Sequence, residues 1–234
     1  MKTSKIIFIT LLGTIALLIL AAMIDVRFTG QKRSEIFNNR LKVNKLDIPE
    51  FNVICLNNIK NLALVQSDSS YISMTATMDS ITHPINYTIK EDTIWLSDFE
   101  KQNSRDVWIA VYFTNTLKSM QLKNSDLRIT KFNSEKLSLD LNLDNSRVYF
   151  DADKSKNTAI SVLNIVAKNY SYITANGFNV DSLGINLQNS DAQLQIIAKK
   201  ISGTLSETSK IFIRQPGEIS LKIDATSKIT VNSY

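Results

Sequence analysis

Six times between residues 122 and 231 the sequence returns to one theme, a small polar corner followed by a strand-like alternation. The segments read LKNSDLRI (122–129), LDNSRVYF (143–150), AKNYSYIT (167–174), LQNSDAQL (187–194), SETSKIFI (206–213) and DATSKITV (224–231). Counted from Asn124, Asn145, Asn169, Asn189, Thr208 and Thr226, successive corners lie 21, 24, 20, 19 and 18 residues apart. Three residues past each corner start stand Leu127, Val148, Tyr172, Ala192, Ile211 and Ile229, and two further on Ile129, Phe150, Thr174, Leu194, Ile213 and Val231. Leu122, Leu143, Ala167 and Leu187 precede the first four corners, while Leu205 and Ile223 sit one residue earlier in the last two. A unit of this size cannot bury its own apolar face, but stacked units build one continuous core. The expected fold is all-β: a stacked, β-helix-like solenoid of either hand with turns of about 20 residues. Asparagine suits the corners because it tolerates left-handed backbone angles, and stacking would line up the corner Asn and Ser side chains.

Alternation of period 2 runs through the body of the chain. Leu137, Leu139, Leu141 and Leu143 interleave with Ser138, Asp140 and Asn142, and the pattern recurs at Leu183, Ile185 and Leu187 and at Ile219, Leu221 and Ile223. Such spacing puts the apolar side chains on one face of a strand. An antiparallel meander also alternates, but its tight turns favour Asn-Gly or Asp-Gly, and Asn176-Gly177 is the exception rather than the rule here. Residues 114–234 therefore read as solenoid repeats and residues 46–113 as an N-terminal β layer capping them. In that layer Phe51–Leu56, Leu62–Gln66, Tyr71–Thr77, Ile85–Ile89, Thr93–Leu96 and Trp108–Phe113 are the strand candidates.

Ile6 to Ile24 carries no charge and follows Lys2 and Lys5. Nineteen helical residues span roughly 28 Å, close to the hydrocarbon thickness of a bilayer. The run is longer than the apolar core of a cleaved signal peptide, and Leu20-Ala21-Ala22 is a poor cleavage motif. Residues 6–24 are thus expected to be a transmembrane signal anchor, with residues 1–5 a cytoplasmic tail and residues 25–45 a basic juxtamembrane linker. Of the net charge of +5, Lys2 and Lys5 supply two. Residues 25–45 supply four, from Arg27, Lys32, Arg33, Arg40, Lys42 and Lys45 against Asp25 and Glu35. The remainder is left at −1, which argues against nucleic acid as a partner and for a lipid bilayer beside the anchor. Basic residues after the span pull the other way on orientation. The short tail, like the n-region of an export signal, favours an inner-membrane protein whose C-terminal domain lies outside the cytoplasm, in the periplasm or at the cell surface.

The order of parts resembles the head GIN domain, a family of auto-transporter-adhesin type. The resemblance runs through Asn61-Leu62-Ala63-Leu64-Val65-Gln66-Ser67-Asp68, then Tyr71-Ile72-Ser73-Met74-Thr75-Ala76-Thr77, then the segment from Tyr87 to Leu96, and then stacked turns, over about residues 46–232. Family corners are commonly Ser-Gly or Gly-Ser, whereas those here are Asn-Ser or Thr-Ser. What the resemblance implies is a cell-envelope location; it carries over no catalytic residue.

Chemistry-bearing residues are sparse. A single cysteine excludes an internal disulfide and a cysteine zinc site, and Cys55, within Phe51–Leu56, reads as a buried small hydrophobe. The one histidine, His83, sits in a turn-like Thr82-His83-Pro84 step. Asp126, Asp144, Asp151, Asp153 and Asp191 recur near corners, where some solenoids bind calcium, but the glycine-rich short period of those proteins is missing. Asp140 with Asp151, or Arg147 with Asp126, could face one side as a polysaccharide-cleaving pair. Tyr112, Tyr149, Tyr170 and Tyr172 could form an aromatic binding strip. Asn86-Tyr87-Thr88 and Asn169-Tyr170-Ser171 match the glycosylation sequon. Ile229-Thr230-Val231 lies close to Tyr234, so an open strand edge is expected to pair with a partner strand or a second copy. No catalytic, cofactor-binding or metal residue is assigned. The expected function is non-catalytic: an anchored envelope protein presenting a solenoid for adhesion or assembly, with a protein or glycan partner at the solenoid face or the C-terminal edge. The alternatives are a carbohydrate-active β-helix enzyme and an accessory subunit of an envelope machine.

Overall fold

The computed structural model describes residues 12–25, 27, 41–77, 87–97, 107–114, 117–132, 135–152 and 158–232. The chain divides into two units, Met1–Lys42 and Val43–Tyr234. In the first, residues 12–25 are helical and their side chains are exposed. Among the described residues no helix is long and apolar enough to cross a membrane. The first six residues of the expected 6–24 span lie outside the described residues.

From Leu41 onward the secondary structure of the described residues is strand, and the second unit opens inside the first of these strands. The first seven are β1 (Leu41–Asp47), β2 (Val53–Asn57), β3 (Leu62–Gln66), β4 (Tyr71–Thr77), β5 (Tyr87–Lys90), β6 (Thr93–Ser97) and β7 (Val107–Phe113). Then come β8 (Ser119–Lys123), β9 (Asp126–Phe132), β10 (Glu135–Asp144), β11 (Arg147–Ala152) and β12 (Ala159–Lys168). The last four are β13 (Tyr172–Gln188), β14 (Asp191–Ser206), β15 (Lys210–Ile223) and β16 (Lys228–Val231). They form an all-β solenoid of about five stacked turns. Each turn has a strand entering a polar corner and a strand leaving it, and each pairs in parallel with its counterpart one turn away. On the entering side β10 lies between β8 and β12. On the leaving side β11 lies between β9 and the start of β13. In β13, β14 and β15 the leaving strand of one turn runs into the entering strand of the next through a register shift.

The corners explain the repeat. Asn124, Asn145 and Asn189 have φ of 50°, 48° and 49°, the left-handed conformation expected of them. The serine that follows the corner is buried in five successive turns: Ser125, Ser146, Ser171, Ser190 and Ser209 are at most 4% exposed. These serines form a ladder. The amide of Ser125 donates to Ser146 Oγ (3.0 Å), that of Ser146 to Ser171 Oγ (3.1 Å), that of Ser171 to Ser190 Oγ (3.2 Å), that of Ser190 to Ser209 Oγ (3.2 Å) and that of Ser209 to Ser227 Oγ (3.1 Å). Each of the first five hydroxyls also donates to a carbonyl at the start of its own corner, at 2.6–3.0 Å. Corner amides that no strand could satisfy are thereby paired inside the core, where an orphaned one is costly. A shorter amide ladder runs outside it, with Asn145 Nδ2 donating to Asn124 Oδ1 (2.9 Å) and Asn124 Nδ2 to Asn58 Oδ1 (3.2 Å).

The serine, not the asparagine, sets the register. Two corners carry a pair of left-handed residues, Asn169 with Tyr170 and Glu207 with Thr208. In the first of these the extra residue moves the inward column by one, so Ile173 and Ala175 occupy the places expected for Tyr172 and Thr174. The inward columns are then Leu127, Val148, Ile173, Ala192 and Ile211, and Ile129, Phe150, Ala175, Leu194 and Ile213, all at most 3% exposed. Phe132, Phe150 and Phe178 pack between successive turns, with ring centroids 5.0 and 4.7 Å apart.

The block 46–113 is partly solenoid and partly antiparallel. β2 pairs in parallel with β8, and β3 with β9, so solenoid turns begin well before residue 114. β6 and β7 form a further parallel rung on the far side of β2 and β3. β4 and β5 then run antiparallel against β7 and β6. β1 neighbours β4, so the end of the expected 25–45 linker is strand.

Candidate functional site

Parallel in-register stacking converts a repeat position into a row of side chains running along the solenoid. The residue after each corner serine gives one outward row: Asp126, Arg147, Tyr172, Asp191, Lys210 and Lys228. Two residues on, a parallel row holds Arg128, Tyr149, Thr174, Gln193, Phe212 and Thr230. Tyr149 and Tyr172 belong to adjacent strands and meet edge to face, with ring centroids 6.4 Å apart. The guanidinium of Arg128 lies 5.7 Å from the Tyr149 ring, within cation–π range. Tyr172 Oη donates to Gln193 Oε1 at 2.9 Å, which fixes that ring.

The third tyrosine arrives from the corner. Tyr170 has φ of 64° and is 78% exposed, because the two-residue corner throws its ring outward while Ser171 keeps the ladder. The three rings, with Arg147, Asp191, Lys210 and the corner residues Asn189 and Thr208, line an open groove of about 540 Å³. Three of the four tyrosines expected to form a strip are thus brought together. Tyr112 is not among them: it stacks on Tyr71 at 4.1 Å, three strands away. Lys210 escaped the sequence reading, although counting from the serine instead of the asparagine puts it in the same row as Arg147.

The acidic candidates go separate ways. Asp126 pairs with Lys60 (3.5 Å), and it adjoins Arg147 in the row without a direct ion pair among the described residues. Asp144 accepts from Asn169 Nδ2 (2.7 Å) and lies 3.4 Å from Lys168. The Asn169 bond first, and then the Lys168 charge, hold its carboxyl below the ordinary carboxylate range. Asp140 accepts from Asn164 (2.8 Å) on an entering strand, whereas Asp151 accepts from Asn176 (3.0 Å) on a leaving strand. Asp191 takes the amide of Lys210 (3.1 Å). Asp153, His83 and Asn86 lie outside the described residues. Among the described residues no three His, Cys, Asp or Glu side chains converge.

A second groove, of about 580 Å³, lies on the outer face of the entering strands. Its floor is the in-register row Trp95, Cys55, Gln121, Asn142 and Val166. Cys55 is buried as expected, but on the outer face of its strand, since Ile54 and Leu56 take the core positions. Burial pushes its thiol up, away from a reactive thiolate.

The backbone matches crystal structures of proteins described as "putative adhesin". For one from Bacteroides fragilis NCTC 9343 the TM-score is 0.59 at 18% identity, over 82% of this chain and 96% of that one. The corresponding values are 0.54, 12%, 83% and 97% for one from Parabacteroides distasonis ATCC 8503. For one from Parabacteroides merdae ATCC 43184 they are 0.51, 11%, 84% and 98%. The fold is theirs. At these identities the likeness concerns fold alone. No family model matches the sequence, and no curated protein matches it either.

Proposed function

We propose that this chain is a membrane-anchored, non-catalytic cell-envelope protein whose solenoid presents the tyrosine groove to a glycan. Residues 6–24 form the single span, residues 1–5 stay in the cytoplasm, and the strand-built unit lies outside it. The observation that carries the ligand reading is the convergence of Tyr149, Tyr170 and Tyr172 with Arg147 and Lys210 on one open surface. Tyrosines supply flat, amphipathic area with few rotamers to lose, which suits the face of a sugar ring. The two cations suit the carboxylate or sulfate of an acidic sugar. The fold shared with three putative adhesins supports a binding role over a catalytic one. The uncharged run at residues 6–24, flanked by basic residues, supports the anchor.

Two measurements test this. The full chain in detergent is titrated with an acidic polyuronate and, as control, a neutral glucan. Saturable binding of the polyuronate without shortening of the polymer is expected. Tyr170→Ala should weaken that binding about tenfold with unchanged circular dichroism. Released fragments would instead identify a carbohydrate-active enzyme, and binding of neither polymer overturns the glycan reading. For topology, protease is added to intact cells and then to permeabilised ones. Digestion of the 46–234 region in intact cells indicates surface display, and digestion only after permeabilisation a periplasmic domain. Protection until the inner membrane is lysed overturns the orientation.

A further inference from the structure

The tyrosine groove leaves the end face of the solenoid unused. In the last turn, residues 215–223 of β15 pair with β14 on one side, and their other edge has no strand partner among the described residues. The inward side chains there are uncovered: Ile219 and Ile223 are 39% and 41% exposed, whereas their in-register counterparts Ile201 and Leu205 one turn earlier are 1% exposed. Val231 of β16 is 46% exposed at the same level.

This edge has a defined centre. Pro216 has no N–H, so a ladder cannot run through it. At the other end Asp224 opens the next corner, where its carboxylate takes the amides of Glu207, Thr226 and Ser227 at 2.7, 3.0 and 2.8 Å. The stretch free to pair is therefore 217–223, with Ser220 at its middle. About Ser220 the sequence is self-complementary, with Glu218 against Lys222 and Ile219 against Leu221. Opposite residues in antiparallel strands share a face. Two copies paired antiparallel about Ser220 would thus set two Glu–Lys pairs on the outer face and two Ile–Leu pairs over the open core. Moving the centre to Leu221 places Glu218 opposite Asp224, a like-charge pair. Moving it to Ile219 places Lys222 opposite Pro216. Among the described residues no ion pair engages Glu218 or Lys222 within the chain.

We infer that the open edge of the last turn is a self-association surface, and that its occupant is a second copy of this chain bound antiparallel through residues 217–223. The arrangement is isologous and closes as a dimer rather than a fibre. It does not depend on what the groove binds.

The test uses the full chain with Cys55→Ser, so that one thiol remains to be introduced. Two-fold pairing brings the two copies of residue 220 to a Cα separation of roughly 4.5–5.5 Å, within disulfide reach. Mild oxidation of Ser220→Cys should therefore give a covalent dimer on a denaturing gel. Ser202→Cys, the exposed in-register position one strand back, would sit roughly 14 Å from its mate and should not link. Glu218→Lys alone, or Lys222→Glu alone, sets like charges opposite one another twice and should lower association about tenfold. Combining the two reversals should restore it. Equal linking at 220 and 202, or no restoration by the double reversal, overturns the proposal and makes these charges a guard that keeps the edge single.

Discussion

A buried hydroxyl is worth its place only if both of its hydrogen-bonding capacities are used, and the corner serines meet that condition. Ser146 Oγ accepts from the Ser125 amide and donates to the Asp144 carbonyl. Ser146→Ala orphans a buried amide and should cost about 1–3 kcal/mol in urea unfolding. Ser138→Ala, on the exposed face of the same turn, should fall within about 0.5 kcal/mol of wild type. Equal losses at the two sites would mean that the ladder does not stabilise the corner. The same residue explains what the sequence made legible. The asparagine corners stand out because so few residue types tolerate left-handed angles, and the inward leucines stand out by alternation. Counting from the asparagine misplaces Tyr172 by one position, because corner length varies between one and two left-handed residues. Counting from the serine repairs the register and at once aligns Arg147, Tyr172, Asp191 and Lys210. The groove was therefore half legible: its tyrosines were visible as residues, but their meeting depended on the extra residue at Tyr170.

Elements repeat this division between local and non-local information. Leu62–Gln66 and Tyr71–Thr77 have the bounds that alternation gave them. The placement of β6 and β7 outside β2 and β3, with β8 and β9 returning on the other side, could not be read, because parallel pairing is chosen by contacts far apart in sequence. Where an element turns, its electrostatics become testable. Hydrogen bonds from Ser227 and then the Glu207 amide hold the Asp224 carboxyl down at about 2, below its ordinary value near 3.9. A depressed carboxyl stabilises the folded corner fully above the unfolded value, and that contribution is lost as pH falls through the folded one. Protection of the Glu207 and Ser227 amides, measured against their intrinsic exchange rates, should accordingly fall between about pH 4 and pH 2. In Asp224→Asn this step should be absent, and a step that persists would assign it to another carboxylate. Glycine marks a second element-level constraint. Gly203 has φ of 141° inside a strand, and a Cβ there would collide with the carbonyl oxygen of Ile185 in the neighbouring strand. Gly203→Ala should destabilise the protein by roughly 2–4 kcal/mol in the same unfolding assay. A near-neutral result would show that β13 and β14 can separate locally at low cost.

For the strand-built unit as a whole, the turns should behave as nearly interchangeable parts, since each contacts its neighbours through the same columns. Removing residues 190–208 joins Asn189 directly to Ser209, which reproduces the one-residue corner and sets Leu187 over Ile223 and Ile185 over Leu221. The shortened protein should still unfold cooperatively, with one step of roughly 4.8 Å less between its two ends. Small-angle scattering measures that difference, and aggregation of the deletion would show that the turns are individually specified.

Along the leaving side the pairing runs from β1 through β13 and β14 to β16, and each layer on that path adds the same increment. Length in this architecture is therefore quantised. A duplication or loss from one serine to the next changes how far the outermost turn stands from the first strand without altering either end surface, so reach can be adjusted in whole steps while whatever each end recognises stays the same.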